Sequence, residues 1–156
     1  MCSDGMRAAK PIEASSMFVY EIFPETTLQY IKGMATGSTP PAILYDVYAR
    51  GVLNEAFKGK TQLKKAILPQ AIGIGKSSFQ GCINLNWADF PNVVGTSDSD
   101  FTSGDGIGKD AFKGCTKLEL ITLASTTKEI AQANAANWGV RNGCTIVCSN
   151  GTYKVS

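Results

Sequence analysis

The phrase Ala-Phe-Lys-Gly stands at residues 56–59 and again at 111–114, and a degenerate copy, Ser78-Phe79-Gln80-Gly81, lies between them. Each copy is followed by an aligned leucine: Leu63, Leu85 and Leu118. Each phenylalanine has an apolar residue five positions before it: Val52, Ile74 and Ile107. Phe57 to Phe79 is 22 residues, and Phe79 to Phe112 is 33, one period plus an 11-residue insertion. A unit this short cannot enclose a core. It supplies one strand, one turn and one returning segment, and buries its apolar edge only against the next unit, so the period predicts a solenoid. Phe, Cys and Leu recur because each fills the same slot in a shared stack.

The best-formed copy is Ile107-Gly108-Lys-Asp-Ala111-Phe112-Lys-Gly-Cys115-Thr-Lys-Leu118-Glu-Leu-Ile121-Thr-Leu123. It resembles the BspA-type leucine-rich repeat, whose pattern runs I-G-x-x-A-F-x-x-C-x-x-L-x-x-I-x-I-P. The second copy has Ile74-Gly75, Phe79, Cys82, Leu85, Phe90 and Pro91, with Ser78 in place of Ala and Ala88 in place of Ile. The first copy lacks the Ile-Gly and has Lys60 where Cys belongs. The resemblance covers about residues 52–124. It implies a mainly β or α/β solenoid with parallel strand rungs, and a role as a bacterial surface protein. Because the repeat residues are core residues, it says little about a ligand.

The organisation follows. Residues 1–16 are expected to form a tether, and 17–156 one domain. Within it, 17–51 read as an N-terminal cap, 52–124 as repeats, and 125–156 as a last rung and C-terminal cap. A solenoid must cover its first and last core faces. In the cap, Phe18, Tyr20 and Ile22 suggest a short strand. Pro24-Glu25-Thr26-Thr27 reads as a helix start continued by Leu28, Tyr30 and Ile31 and stopped by Gly33. Lys128–Asn137 is alanine-rich and predicts a helix ending near Gly139. Thr145–Cys148 and Thr152–Val155, around Ser149-Asn150-Gly151, predict a β-hairpin. Ile146, 25 residues after Ile121, marks its first strand as a fourth rung.

Chemistry is sparse. With no histidine in the chain, His-based triads and most catalytic zinc sites are excluded. No pair of carboxylates stands out, so no catalytic residue, metal ligand or cofactor site is assigned, and the chain reads as a non-enzyme. Gly73-Ile-Gly75-Lys76-Ser77 imitates a phosphate loop, but the first required glycine falls on Gln70, and Ile107-Gly108-Lys109 repeats the same local pattern. Asp98, Asp100 and Asp105 lie in a Gly/Ser-rich insertion, about 94–106, without the spacing of a calcium loop. Cys82 and Cys115 share one repeat position and should stack in the core. Cys144 and Cys148 lack the second pair or histidine that zinc requires.

The near-neutral charge of +2 lacks the basic bias of a nucleic-acid surface, and the clustered lysines from Lys58 to Lys76 read as a solvated face. No apolar run reaches the ~18 residues of a membrane span. Cys2-Ser3-Asp4, before the small-residue stretch 8–16, resembles the start of a mature bacterial lipoprotein. That resemblance implies lipid attachment at Cys2, membrane contact only through that anchor, and an extracytoplasmic, cell-surface location.

Strand parity gives the last expectation. Ala66, Ala88, Ile121 and Ile146 should point inward, so their neighbours point outward. One outward row is then Lys65, Trp87, Leu120 and Thr145, and the other is Ile67, Asp89, Thr122 and Val147. Lys65, Ile67, Trp87, Asp89, Leu120 and Thr122 form the candidate binding face for a protein or glycan partner. The alternative is a structural spacer or self-assembling surface subunit without a dedicated ligand, in which the apolar members serve self-association in a homo-oligomer.

Overall fold

The computed structural model describes residues 17–23, 28–96 and 100–156. The structure is a mainly-β solenoid of about five turns, each contributing a strand to a parallel ladder. The strands in chain order are β1 (Phe18–Ile22), β2 (Gln29–Met34), β3 (Ile43–Tyr45), β4 (Gly51–Val52), β5 (Lys65–Ile67), β6 (Gly73–Ile74), β7 (Trp87–Asp89), β8 (Gly106–Ile107) and β9 (Leu120–Leu123). They are followed by helix α1 (Lys128–Asn134) and strands β10 (Thr145–Cys148) and β11 (Gly151–Lys154). The larger sheet has the order β11-β10-β9-β7-β5-β3, and the smaller one β1-β2-β4-β6-β8. In both, every pair is parallel except the terminal hairpins β10–β11 and β1–β2.

The repeated residues fill the space between the sheets. Phe57, Phe79 and Phe112 are fully buried. Their rings lie 5.7 and 5.9 Å apart between neighbours, within 7° of parallel. The connecting arms stack as well: the amides of Phe57, Phe79 and Phe112 donate to the carbonyls of Ser78, Ala111 and Trp138 in the following turn, at 2.8–2.9 Å. Each arm holds a non-glycine residue with positive φ at the same place, Glu55, Ser77 and Asp110. The backbone reverses there just before each Phe, and an L-residue accepts the left-handed well at a cost of about 1–2 kcal/mol. The 11-residue insertion leaves this ladder intact, because Gly73 pairs with Gly106 and Trp87 with Leu120 across it.

Three expectations for the ends change. The helix expected over 24–33 is absent where it can be judged: Gln29–Met34 is a strand, antiparallel to Phe18–Ile22. Its start signal, Pro24 to Thr27, lies outside the described residues. Burial decided the outcome, because Gln29, Tyr30 and Ile31 are all buried and Ile31 joins the ladder opposite Val52, facing the core. The ladder of the larger sheet also begins at Ile43, inside the stretch read as cap, with Leu44 stacked on Ala66. The hairpin strand β10 is therefore the fifth rung of that sheet, not the fourth.

At the far end α1 forms within the predicted stretch. The Thr127 hydroxyl accepts from the Ile130 amide at 3.2 Å and caps it. Trp138, fully buried, then delivers its carbonyl to the last Phe arm. One continuous buried cluster runs from Phe18 to Val155.

Candidate binding face

The register of the larger sheet stacks three rows of side chains. Leu44, Ala66, Ala88, Ile121 and Ile146 face inward and are fully buried. One outward row runs Ile43, Lys65, Trp87, Leu120, Thr145, and the other Tyr45, Ile67, Asp89, Thr122, Val147. The six face residues predicted from parity thus lie side by side on three adjacent strands. All six are only partly exposed, because each packs against its row neighbours.

Trp87 occupies the middle of the face. Its indole N–H donates to the Thr122 hydroxyl at 3.2 Å, so its polar atom is satisfied within the sheet. The Lys65 ammonium stands 5.7 Å from the ring centre, in cation–π range, and is held there by a 3.1 Å bond to the Asn86 side-chain oxygen. Asp89 sits in the other row between Ile67 and Thr122, and desolvation pushes its carboxyl above the usual range. The arrangement is an apolar strip carrying one cation and one carboxylate on diagonal positions. Nothing in it resembles a nucleophile with its base.

Two residues of this face were missed from sequence. Ile43 and Tyr45 extend both rows and are its most open apolar members, 52% and 60% exposed. The signal was present: each precedes its row neighbour, Lys65 or Ile67, by one 22-residue period.

The other candidates resolve into structure. Cys82 and Cys115 are buried thiols that donate to the Phe57 and Phe79 carbonyls at 3.1 Å. Burial raises them to about 11 and about 12, and Cys144 to about 11, which keeps all three protonated and poor nucleophiles. These thiols and Cys148 are free. Gly75 and Lys76 belong to the stacked arms. Cys2, Ser97, Asp98 and Ser99 lie outside the described residues.

The rest of the insertion is docked. Phe101 is buried against Phe23 and Tyr30, with ring centres 5.9 and 6.3 Å away, and the Tyr30 hydroxyl donates to the Gly104 carbonyl. Gly104 has φ +83, and a Cβ there would stand 2.6 Å from the Phe23 ring, so glycine is required. Among the described residues no three His, Cys, Asp or Glu side chains gather to hold a metal, and no helix is long and apolar enough to cross a membrane.

The repeat geometry agrees with sequence comparison. The model of the BspA type leucine-rich repeat region, in six copies, matches residues 51–133, more than half of the chain. The protein belongs to the BspA-type leucine-rich repeat family. No curated protein matches the chain significantly. A solved structure, the leucine-rich repeat protein of T. pallidum, is similar over 70% of this chain at 20% identity, with a TM-score of 0.49. The chain spans 59% of that protein's length. Membership suggests a protein-interaction or surface module, from a fold family whose members typically bind and do not catalyse.

Proposed function

We propose that this chain is a non-catalytic, cell-surface binding or adhesion module that takes a protein or glycan on the outward face of its larger sheet. The observation that carries the reading is the unbroken register that lines up Tyr45, Ile67, Trp87 and Leu120 as a partly exposed apolar strip. Contiguous apolar patches of this kind mark interaction sites, and aromatic side chains anchor them because they bury large area with few rotors. Residues 17–156 act as one domain, residues 1–16 as its tether, and acylation of Cys2 holds it to the membrane surface.

The test uses a Trp138→Phe chain, so that Trp87 is the single fluorescent reporter. It is screened against immobilised matrix proteins and glycans. Ligands should quench or shift Trp87 and lose affinity in Tyr45→Ala and Trp87→Ala at unchanged thermal stability. Binding that ignores both substitutions, or no binding at all, rejects the face. For the anchor, expression with the natural upstream sequence should give lipid-labelled protein that Cys2→Ala releases as soluble; an unlabelled product rejects it.

One observation favours a second reading, a self-assembling surface subunit without a dedicated ligand. Strand β3 is one of the two terminal strands of the larger sheet and carries exposed Ile43 and Tyr45, and such an edge templates pairing with another chain. Concentration-dependent self-association with no ligand binding selects it.

A further inference from the structure

The chain crosses between its sheets along two lateral edges, and the edges differ in charge. The three stacked arms 53–64, 75–86 and 108–119 carry seven lysines against Glu55, Asp110 and Glu119. The described residues of the other connections, 46–50, 68–72 and 90–105, hold Asp46, Asp100 and Asp105 against Arg50 alone, and Asp100 reaches Lys76 of the middle arm at 3.9 Å. The lysine-bearing arms therefore carry a surplus of four positive charges, seven less three, in a chain of net charge +2.

The solenoid orders that charge. Backbone bonds from Gly59 to Gln80 (2.7 Å) and from Gly81 to Lys113 (2.8 Å) set Gln80 between Lys58 and Lys113 in one column. With strands about 4.8 Å apart, the two lysines start roughly 10 Å apart along the solenoid axis. Beside that column, Asn84 donates to the Thr61 carbonyl at 2.8 Å and accepts from Lys117 at 3.1 Å, again setting an amide between a first-turn arm and a third-turn lysine. The ammonium groups of Lys60 and Lys113 have no ion-pair or hydrogen-bond partner among the described residues, and that of Lys58 has only the exposed Glu55 at 3.5 Å. In these columns the outer turns thus present ammonium groups and the middle turn presents neutral amides, while the middle turn's own lysine, Lys76, pairs with Asp100 at 3.9 Å.

We propose that this edge binds a linear anionic polysaccharide lying along the solenoid axis, with its sulfates or carboxylates on Lys58, Lys60, Lys113 and Lys117 and the hydroxyls of an intervening sugar on Gln80 and Asn84. The alternation of charge with hydroxyl-seeking amide matches a polymer whose anionic groups are separated by neutral hydroxyls. Single-stranded nucleic acid fits less well, because the only aromatics of these arms, Phe57, Phe79 and Phe112, are buried and leave no platform for base stacking. An acidic peptide adding as a strand fits less well too, because the Phe57, Gly59, Phe79 and Gly81 amides are engaged by the next arm. The site is separate from the Trp87 face and stands whether or not that face binds anything.

The test measures binding of the full chain to heparin, which carries sulfate, and to alginate, which carries carboxylate alone, at physiological ionic strength. Poly-glutamate and a single-stranded oligonucleotide serve as competitors. At least one polysaccharide should bind, and the one preferred identifies the anionic group. The triple variant Lys58→Gln, Lys113→Gln, Lys117→Gln should bind several-fold more weakly. A control triple, Lys32→Gln, Lys128→Gln, Lys154→Gln, removes the same charge elsewhere and should bind nearly as well as wild type. Lys113→Arg, which keeps the cation, should retain binding and guards against a folding defect in the triple. The proposal is overturned if neither polysaccharide binds, if the two triples weaken equally, or if poly-glutamate or the oligonucleotide binds more tightly than both polysaccharides.

Discussion

The two ends of the larger sheet face the same problem, a rung with no neighbour, and meet it differently. At the C-terminal end the chain turns back on itself. Strand β11 pairs with β10, its outward residues Thr152 and Lys154 are polar and exposed, and α1 packs beside it. At the N-terminal end the covering hairpin extends the smaller sheet instead. It shields the core, with Phe18 edge-on to Phe57 at 5.9 Å and the Tyr20 hydroxyl donating to the buried Asp46 carboxylate. It does not pair with β3, which remains terminal with Ile43 and Tyr45 exposed. One end carries a lysine of the kind that blunts sheet edges, and the other carries none in its strand. Covering a core and closing a sheet are separate tasks, and this chain completes both at one end only.

The largest effect should come from the interior against which both ends are measured. Phe112→Ala removes a ring stacked on Phe79 and Phe90 and should cost about 3–5 kcal/mol. Phe18→Ala, packed against the outermost ring alone, should cost less, and equal losses in chemical denaturation would show that the N-terminal hairpin is as integral as the stack. Next is Asp46→Ala. Its carboxylate accepts from the Tyr48 and Ala49 amides at 2.9 and 3.1 Å as well as from Tyr20, and leaving the buried Ala49 amide and the two partly buried donors unpaired should cost about 1–3 kcal/mol. Hydrogen exchange should rise first in β1 and β2; a uniform rise would mean that the end does not open by itself. The smallest effect on stability, within about 0.5 kcal/mol, should follow from Tyr45→Lys. This change gives the N-terminal edge the charge its counterpart has, and any self-association seen by sedimentation should fall. Self-association that survives it, but is lost on changing Thr152, would move the vulnerable edge to the other end.

The middle of the molecule was legible because three copies in register carry their own alignment. Phe57, Phe79 and Phe112 mark one column, and parity from the following leucines sorted Ala66, Ala88 and Ile121 inward without further information. The C-terminal hairpin was legible because a turn-forming Ser-Asn-Gly separates two β-branched runs. The N-terminal end was not. Its first turn has no Phe-x-Gly phrase, and Pro24-Glu25-Thr26-Thr27 has the local chemistry of a helix start. What overrode it was tertiary: Ile31 gains complete burial only as a strand opposite Val52. Phe101 was hidden for a similar reason. A single aromatic in a run of Ser, Asp and Gly carries no period, and only the fold brings Phe23 and Tyr30 to meet it. The candidate face was legible for six positions and incomplete by two, because the period was not carried back one step to Ile43 and Tyr45.

The insertion between β7 and β8 has a consequence for how such a chain changes. Eleven residues enter one arm, yet Gly73 still meets Gly106 and Trp87 still meets Leu120, so length here is independent of alignment everywhere else. In a globular core, added residues displace whatever they touch. In this arm the described part of the insertion is anchored by a ring and a glycine, Phe101 and Gly104, against Phe23 and Tyr30. New sequence of many lengths can therefore be spliced into that arm as cargo, provided it brings its own aromatic foothold, while the rungs on either side keep their spacing.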